Sequence, residues 1–196
     1  MRILAFLALA ALALLGVGLA LRLLFPLPDN GDRTDSRALA DTGDTRLGRA
    51  VAGPAARAPG LSGVVPLSNA QDSFAARILL VQAADRSLDL QYYIWHRDTS
   101  GMMLLREVLA AADRGVRVRL LVDDNGTAGM DRELAALDAH PNAEVRLFNP
   151  FTIRSPKLLG YVMDFGRLNR RMHNKSLTAD NQATIVGGRN VGDEYF

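Results

Sequence analysis

Between Asp72 and Phe148 the spacing of apolar residues switches repeatedly between a helical period and a strand period. Phe74, Ile78, Leu79 and Val81 mark a helical face after Asp72-Ser73, and Leu88 to Trp95 reads as a strand. Thr99-Ser100 offers an N-cap to a helix with Met102, Leu105, Val108 and Leu109 on its apolar side, ended by Gly115. Val116, Val118, Leu120 and Val122 then alternate with Arg117 and Arg119, which predicts a strand with its arginines outward. Asp123-Asp124-Asn125-Gly126 is a turn, a helix is expected over Ala128 to Ala139, and Val145 to Phe148 is a further strand. Units of about thirty residues that repeat helix and strand need crossover connections, and so parallel neighbours covered by helices. The expected fold is α/β, a mixed, largely parallel sheet flanked by helices.

The chain ahead of this alternation has two characters. Ile3 to Leu21 is apolar without interruption, Arg22 breaks the run, and Leu23-Leu24-Phe25 resumes it before Pro26 and Pro28. A spanning helix needs roughly 20 apolar residues, so residues 1–28 are expected to form an N-terminal hydrophobic helix, a transmembrane or signal-anchor segment. No clean small-x-small site follows the run, which favours an uncleaved anchor over a cleaved leader. Arg2 lies before the run and Arg22, Arg33 and Arg37 lie after it, so positive charge alone barely orients the helix. Residues 29–66 are rich in Asp, Arg, Gly, Thr, Ala and Pro and read as a linker. Leu39 and Leu47 place a short helical piece in it between Thr34 and Val51, with turns at Gly53-Pro54 and Pro59-Gly60. Residues 67–196 are then the α/β domain. There is no cysteine, which excludes disulfides and thiolate metal sites, and the net charge of +2 makes no case for nucleic acid.

Chemistry concentrates near the end of the chain. His173-Asn174-Lys175-Ser176-Leu177-Thr178-Ala179-Asp180, followed by Gly187-Gly188-Arg189-Asn190, has the pattern H-x-K-x4-D-x6-G-G-x-N. The stretch around His173 and Lys175 reads as a strand, so the two side chains project to one face. A neutral imidazole is a good nucleophile toward phosphorus, and a lysine beside it holds a phosphate oxygen. Ala183 to Val186 would pair back as a hairpin through Asp180-Asn181-Gln182. Gly187 and Gly188 let backbone approach a ligand closely, and Asn190 adds an amide donor. Asp180 either fixes the hairpin or pairs with a cation. Asp123 and Asp124 are assigned to the turn rather than to a metal, since no further carboxylates stand at suitable spacing. Tyr92, Tyr93 and Trp95 divide between core and cleft lining. His96 and His140, without a lysine two places on, are assigned to surface or capping roles. Asn149 to Arg171 is a long basic excursion with an apolar helical face of Leu158, Leu159, Tyr161, Val162, Phe165 and Leu168. It reads as a solvated basic face or as an element lying on an anionic membrane; a groove for a nucleic-acid backbone would carry similar charge.

His173, Lys175, Asp180 and the Gly187-Gly188-x-Asn190 tail resemble the HKD motif of the phospholipase D superfamily. Leu88-Asp89-Leu90-Gln91-Tyr92-Tyr93-Ile94-Trp95, Leu120 to Asn125 and Arg171 to Ser176 are similar to the bacterial cardiolipin synthases, in particular the type C branch. The resemblance implies catalysis by His173, Lys175 and Asp180, substrate contacts at Gly187, Gly188 and Asn190, and a phosphohistidine intermediate on an anionic phospholipid such as phosphatidylglycerol. It implies neither cofactor nor metal, because cationic side chains carry the charge. It also implies that two motifs make one site, so the second half must come from a homodimer or from a missing C-terminal region. Localisation follows: the bacterial inner membrane, with one N-terminal anchor and the catalytic domain on the periplasmic side. A single-motif homodimeric phosphodiesterase acting on nucleic acid is the alternative, disfavoured by the Tyr92 to Trp95 and Arg171 to Asn174 stretches; an inactive half is a further one.

The apolar run generates a direct expectation. The full-length chain should fractionate with membranes and resist carbonate extraction, and deletion of residues 1–28 should release it. Recovery of the intact chain in the soluble fraction would sink this reading.

Overall fold

β1 (Ser87–Tyr92) is the central strand, and its two neighbours run in opposite senses. In the computed structural model, which describes residues 1–196 apart from the side chain of Met163, β1 pairs in parallel with β2 (Arg117–Asp123), and β2 with β3 (Ala143–Phe148). On its other side β1 pairs antiparallel with β4 (Lys175–Ala179), which turns back into β5 (Ala183–Val186). Among the described residues the sheet order is β3-β2-β1-β4-β5. The helices are α1 (Arg2–Leu24), α2 (Arg46–Arg57), α3 (Ala70–Ala83), α4 (Thr99–Asp113), α5 (Asp131–Asp138) and α6 (Leu158–Leu168). The expected mixed, mostly parallel sheet flanked by helices is what forms.

The chain divides into two compact units. Met1–Asp35 and Asn149–Arg171 make the first, and Ser36–Phe148 and Met172–Phe196 the second. In the second, Leu88, Leu90 and Tyr92, Val118, Leu120 and Val122, and Leu177 and Ala179 point to one face and form a core with Val81, Leu104 and Val108. The strand period of two brings these residues together from three strands and two helices. The opposite face is polar. There Arg119 Nε donates to Asp89 Oδ1 at 2.5 Å, and Arg117 lies 3.9 Å from the same carboxylate, so the arginines expected to face outward are half-buried.

Several expected boundaries and faces shift. α3 is capped by Asn69, whose side chain accepts from Asp72 N, and α4 by Asp98, which accepts from Gly101 N. Leu79 and Leu109 are exposed, because the stripes that meet the sheet run through Arg77 and Val81 and through Leu104, Leu105 and Val108. The strand expected over Leu88 to Trp95 stops at Tyr92, where its antiparallel partner β4 begins. α5 starts at Asp131 rather than Ala128, because Gly129 adopts a φ of +80° in the turn before it. The helix expected between Thr34 and Val51 lies at Arg46–Arg57 and leaves Leu39 outside. Thr45 sets its start, accepting from Gly48 N at 3.0 Å while donating to Thr42 O at 2.7 Å. Gly53-Pro54, expected as a turn, lies inside this helix, in its second half, where the proline removes one helical N–H bond.

The α3–β1 turn ties the second unit together. Asp180 is fully buried and accepts from Asp85 N at 2.9 Å, Arg86 N at 2.7 Å and Ser87 N at 2.9 Å. On the outside of the same turn, Arg46 binds the Asp85 carboxylate at 2.7 Å through both backbone N and Nε, and Arg86 reaches Asp44 at 2.6 Å. In the first unit, α1 has no buried residue, an 18-residue stretch of it has a mean hydropathy of 2.7, and it is long and apolar enough to cross a membrane.

Asp180→Ala would orphan every N–H that its carboxylate now accepts. The expected loss is about 3 kcal/mol or more, since each unsatisfied buried donor costs about 1–3 kcal/mol. Thermal unfolding of the variant chain checks this; an unchanged midpoint would show that the turn does not need the carboxylate.

Candidate active site

Because β4 runs against β1, its first residue sits at the carboxyl ends of the parallel strands. Lys175 is opposite Tyr92, the last residue of β1. The region outside the carboxyl ends of parallel strands is where an open α/β sheet presents ligand-binding groups. Beyond Tyr92 the chain is held by its neighbours. Trp95 N donates to Gly126 O at 2.9 Å, His96 N to Val191 O at 2.9 Å, and Val191 N to Ile94 O at 3.1 Å. Gly126 is needed for this approach, because a Cβ there would lie 1.9 Å from Tyr93 O.

Asp123, at the end of β2, holds the entry to β4. Its Oδ1 accepts from Asn125 N at 2.9 Å, as a turn residue does, and its Oδ2 accepts from Met172 N at 2.8 Å. The residue before His173 is therefore pinned to a buried carboxylate. His173 precedes β4 rather than lying within it, and its side chain is exposed. Its imidazole packs on Tyr93, with ring centroids 4.9 Å apart and planes at 51°. Lys175 is 8% exposed; its Nζ donates to His173 O at 3.0 Å and lies 5.3 Å from the centre of the same Tyr93 ring. One aromatic ring thus supports both the imidazole and the ammonium. Burial pushes the Lys175 ammonium below the ordinary lysine range.

Asn190 is also buried. Its Oδ1 accepts from Ile94 N at 3.2 Å. Gly187 and Gly188 follow β5 with nothing within 4 Å of where a Cβ would stand, so the space before them is open. Asp180 lies elsewhere. It is at the far end of β4, roughly 16 Å from Lys175 at about 3.3 Å per residue, in a type I′ turn where Asp180 and Asn181 have φ of +51° and +52°. Its carboxylate accepts from the backbone of the α3–β1 turn, a partner that neither of the two roles read from the sequence named.

The aromatic stretch splits. Tyr92 and Trp95 are core residues, packed edge-on at 5.4 Å, with Arg77 Nε donating to the Tyr92 hydroxyl at 3.2 Å and Trp95 Nε1 to Gly101 O at 3.0 Å. Tyr93 alone reaches His173. His140 accepts from Asn142 N at 3.1 Å and lies 3.3 Å from Asp113. Among the described residues, no group of three or more His, Asp or Glu side chains is placed to hold a metal ion. Gly126 and the second bond of Asp123 escaped sequence reasoning. Both act on partners that the fold alone brings near.

A family profile described as cardiolipin synthase, PLD-like domain, matches residues 78–196. The chain is 57% identical over 151 residues to cardiolipin synthase C of Escherichia coli K12, covering 77% of this chain and 32% of that protein. It is 31% identical over 129 residues to a cardiolipin synthase of Staphylococcus aureus Mu50, covering 66% of this chain and 24% of that one. It therefore spans about a third or less of the length of these curated relatives. Among solved structures, NucT from Helicobacter pylori overlaps with a TM-score of 0.47 and 18% identity, over 67% of this chain and 75% of that one. With its profile match running from the second half of α3 to the end of the sequence, through the strand that bears His173 and Lys175, the chain belongs to the cardiolipin synthase, PLD-like domain family of the phospholipase D superfamily.

Proposed function

We propose that this chain carries one half of a phosphatidyl-transfer site that acts on phosphatidylglycerol-type phospholipids. The observation that supports it most is the shared packing of His173 and Lys175 on Tyr93, which sets a nucleophile beside a buried cation. In the first step an imidazole nitrogen of His173 attacks phosphorus. The bond to the head-group oxygen breaks, and that oxygen leaves with a proton from an acid on the opposite side. Lys175 and the amide of Asn190 stabilise the equatorial oxygens. In the second step a glycerol hydroxyl of another lipid gives its proton back to the group that acted as acid and attacks phosphorus, and the nitrogen–phosphorus bond breaks, restoring His173. With water in place of that hydroxyl the outcome is hydrolysis.

The in-line geometry needs an acid that His173 cannot itself provide. The other histidines are His96 and His140, and His140 is engaged by Asn142 and Asp113. The acid is assigned to a second HKD half, from another copy of the chain or from a further segment of polypeptide. Asp180 and Asp123 are positioning residues in this scheme, one at each end of the catalytic strand. α1 is the single anchor in the inner membrane, and the sheet-bearing unit works on the periplasmic side, where the lipid head groups meet water.

Labelled phosphatidylglycerol provides the test. In the complete enzyme His173→Ala should reduce turnover to background, and Lys175→Ala should cut it by roughly 10²-fold, as for loss of one preorganised donor. Retained turnover in His173→Ala would place the nucleophile elsewhere. For this chain alone, turnover should appear only in the species that light scattering shows to be associated; full activity in a strict monomer would remove the need for a second half.

The burial of Lys175 also sets a pH dependence. Its folded pKa lies below its unfolded one, so between the two the unfolded state binds more protons, and stability rises with pH. The wild type should gain stability relative to Lys175→Met as pH climbs toward the ordinary lysine value of 10.5. Denaturant titrations of both proteins over that range check the sign; a gap that stays constant would show that the ammonium is not strained by burial.

A further inference from the structure

The first unit contains a cleft that the proposed chemistry does not use. It has a volume of about 230 Å³ and lies between the end of α1 and the middle of α6, lined by Arg22, Phe25, Leu27, Asp164, Arg167 and Leu168 among others. α6 is kinked at Asp164, whose φ of −149° and ψ of 52° leave the helical range and turn its carboxylate toward the cleft's arginines. Arg167 Nε donates to Asp164 Oδ2 at 2.7 Å, and its Nη2 donates to Pro150 O at 3.1 Å. Among the described residues, Arg167 Nη1 is buried and has no hydrogen-bond partner. Arg22, in the last turn of α1, lies 3.8 Å from the same Asp164 oxygen. The pair of guanidinium groups against one carboxylate leaves the cleft with excess positive charge.

A buried guanidinium N–H without an acceptor is costly and uncommon in a folded protein. The same side chain lines a cleft with charged and apolar walls. Arg22 ends the candidate span, where a long basic side chain meets the polar boundary of a bilayer. Leu158, Val162 and Phe165 of α6 are exposed, and Lys157 and Arg170 adjoin the same helix. An apolar flank beside basic groups fits an interfacial helix lying among acyl chains.

We infer that this cleft binds the phosphate of an anionic phospholipid, with the guanidinium groups of Arg22 and Arg167 as its cationic wall and the flank of α6 against the lipid tails. The site holds a lipid beside the anchor, distinct from the one that reacts at His173. The inference rests on α1 entering a bilayer, which carbonate extraction tests separately.

The test uses the full chain in zwitterionic detergent, titrated with short-chain phosphatidylglycerol, short-chain phosphatidylcholine or inorganic phosphate. Wild type should bind phosphatidylglycerol about tenfold or more tighter than phosphatidylcholine, which offers the same phosphate but adds a quaternary ammonium that the cleft's excess positive charge repels. Arg167→Gln should lower phosphatidylglycerol affinity about tenfold through loss of one positive charge, and Arg167→Lys should restore part of it. If circular dichroism shows that Arg167→Gln misfolds, Arg22→Gln carries the test, since Arg22 is exposed and its loss leaves the Arg167–Asp164 pair intact. Equal affinity for the two lipids, undiminished binding in the folded variants, or displacement of the lipid by phosphate at matching concentration would each overturn the assignment.

Discussion

Leu88–Tyr92 of β1 face Ala179–Lys175 of β4 in reverse order, and this antiparallel ladder decides where the chemistry stands. Had the strand bearing Lys175 joined the sheet in parallel, His173 would open at the amino ends of β1 and β2, away from the loops that follow them. Reversal carries it to the end where Tyr93, Gly126, Asp123 and Asn190 converge. A short hairpin into β5 completes the arrangement, and the left-handed backbone at Asp180 and Asn181 gives it the twist that two-stranded ribbons favour.

Each end of that ladder is secured by a buried carboxylate whose charge is met by backbone N–H groups. Asp180 takes the α3–β1 turn at one end, and Asp123 takes Met172 at the other. Buried anions are tolerated when hydrogen bonds replace their hydration. They also resist small displacements, because moving either strand strips bonds from a charge in a medium of low dielectric. The imidazole of His173, itself exposed, thus stands on a rigid support. A catalytic group held within a fraction of an ångström on a strand end is better placed than one on a free loop.

Lys175 shows the opposing demand. Its burial disfavours the ammonium, yet the chemistry proposed for it requires that charge. The face of Tyr93 and the carbonyl of His173 answer part of the lost hydration. A phosphate would answer the rest, so the site gains most when it is occupied. In the other unit Arg167 repeats the theme, a cation partly satisfied by protein and left with one donor to spare.

The fold class was legible in the sequence because it depends on local periodicity. Val116 to Val122 alternates as the strand it becomes, and Asp180-Asn181-Gln182 turns where its backbone preferences say. The H-x-K spacing was equally legible, since residues two apart near a strand share a face whatever the sheet around them. Which helical face is buried was not: Leu79 and Leu109 are apolar but miss the stripe the sheet covers, and Arg77 enters the core to meet Tyr92. Nor could spacing divide Tyr92 from Tyr93, or show that Asp180 would bond residues more than ninety positions earlier and never meet His173. Sequence determined the elements and the pairing of His173 with Lys175, because propensity and period act over a few residues. Tertiary structure alone decided strand order, the side on which each aromatic lies and the partner of each buried charge, because these depend on contacts between segments that chain connectivity leaves far apart.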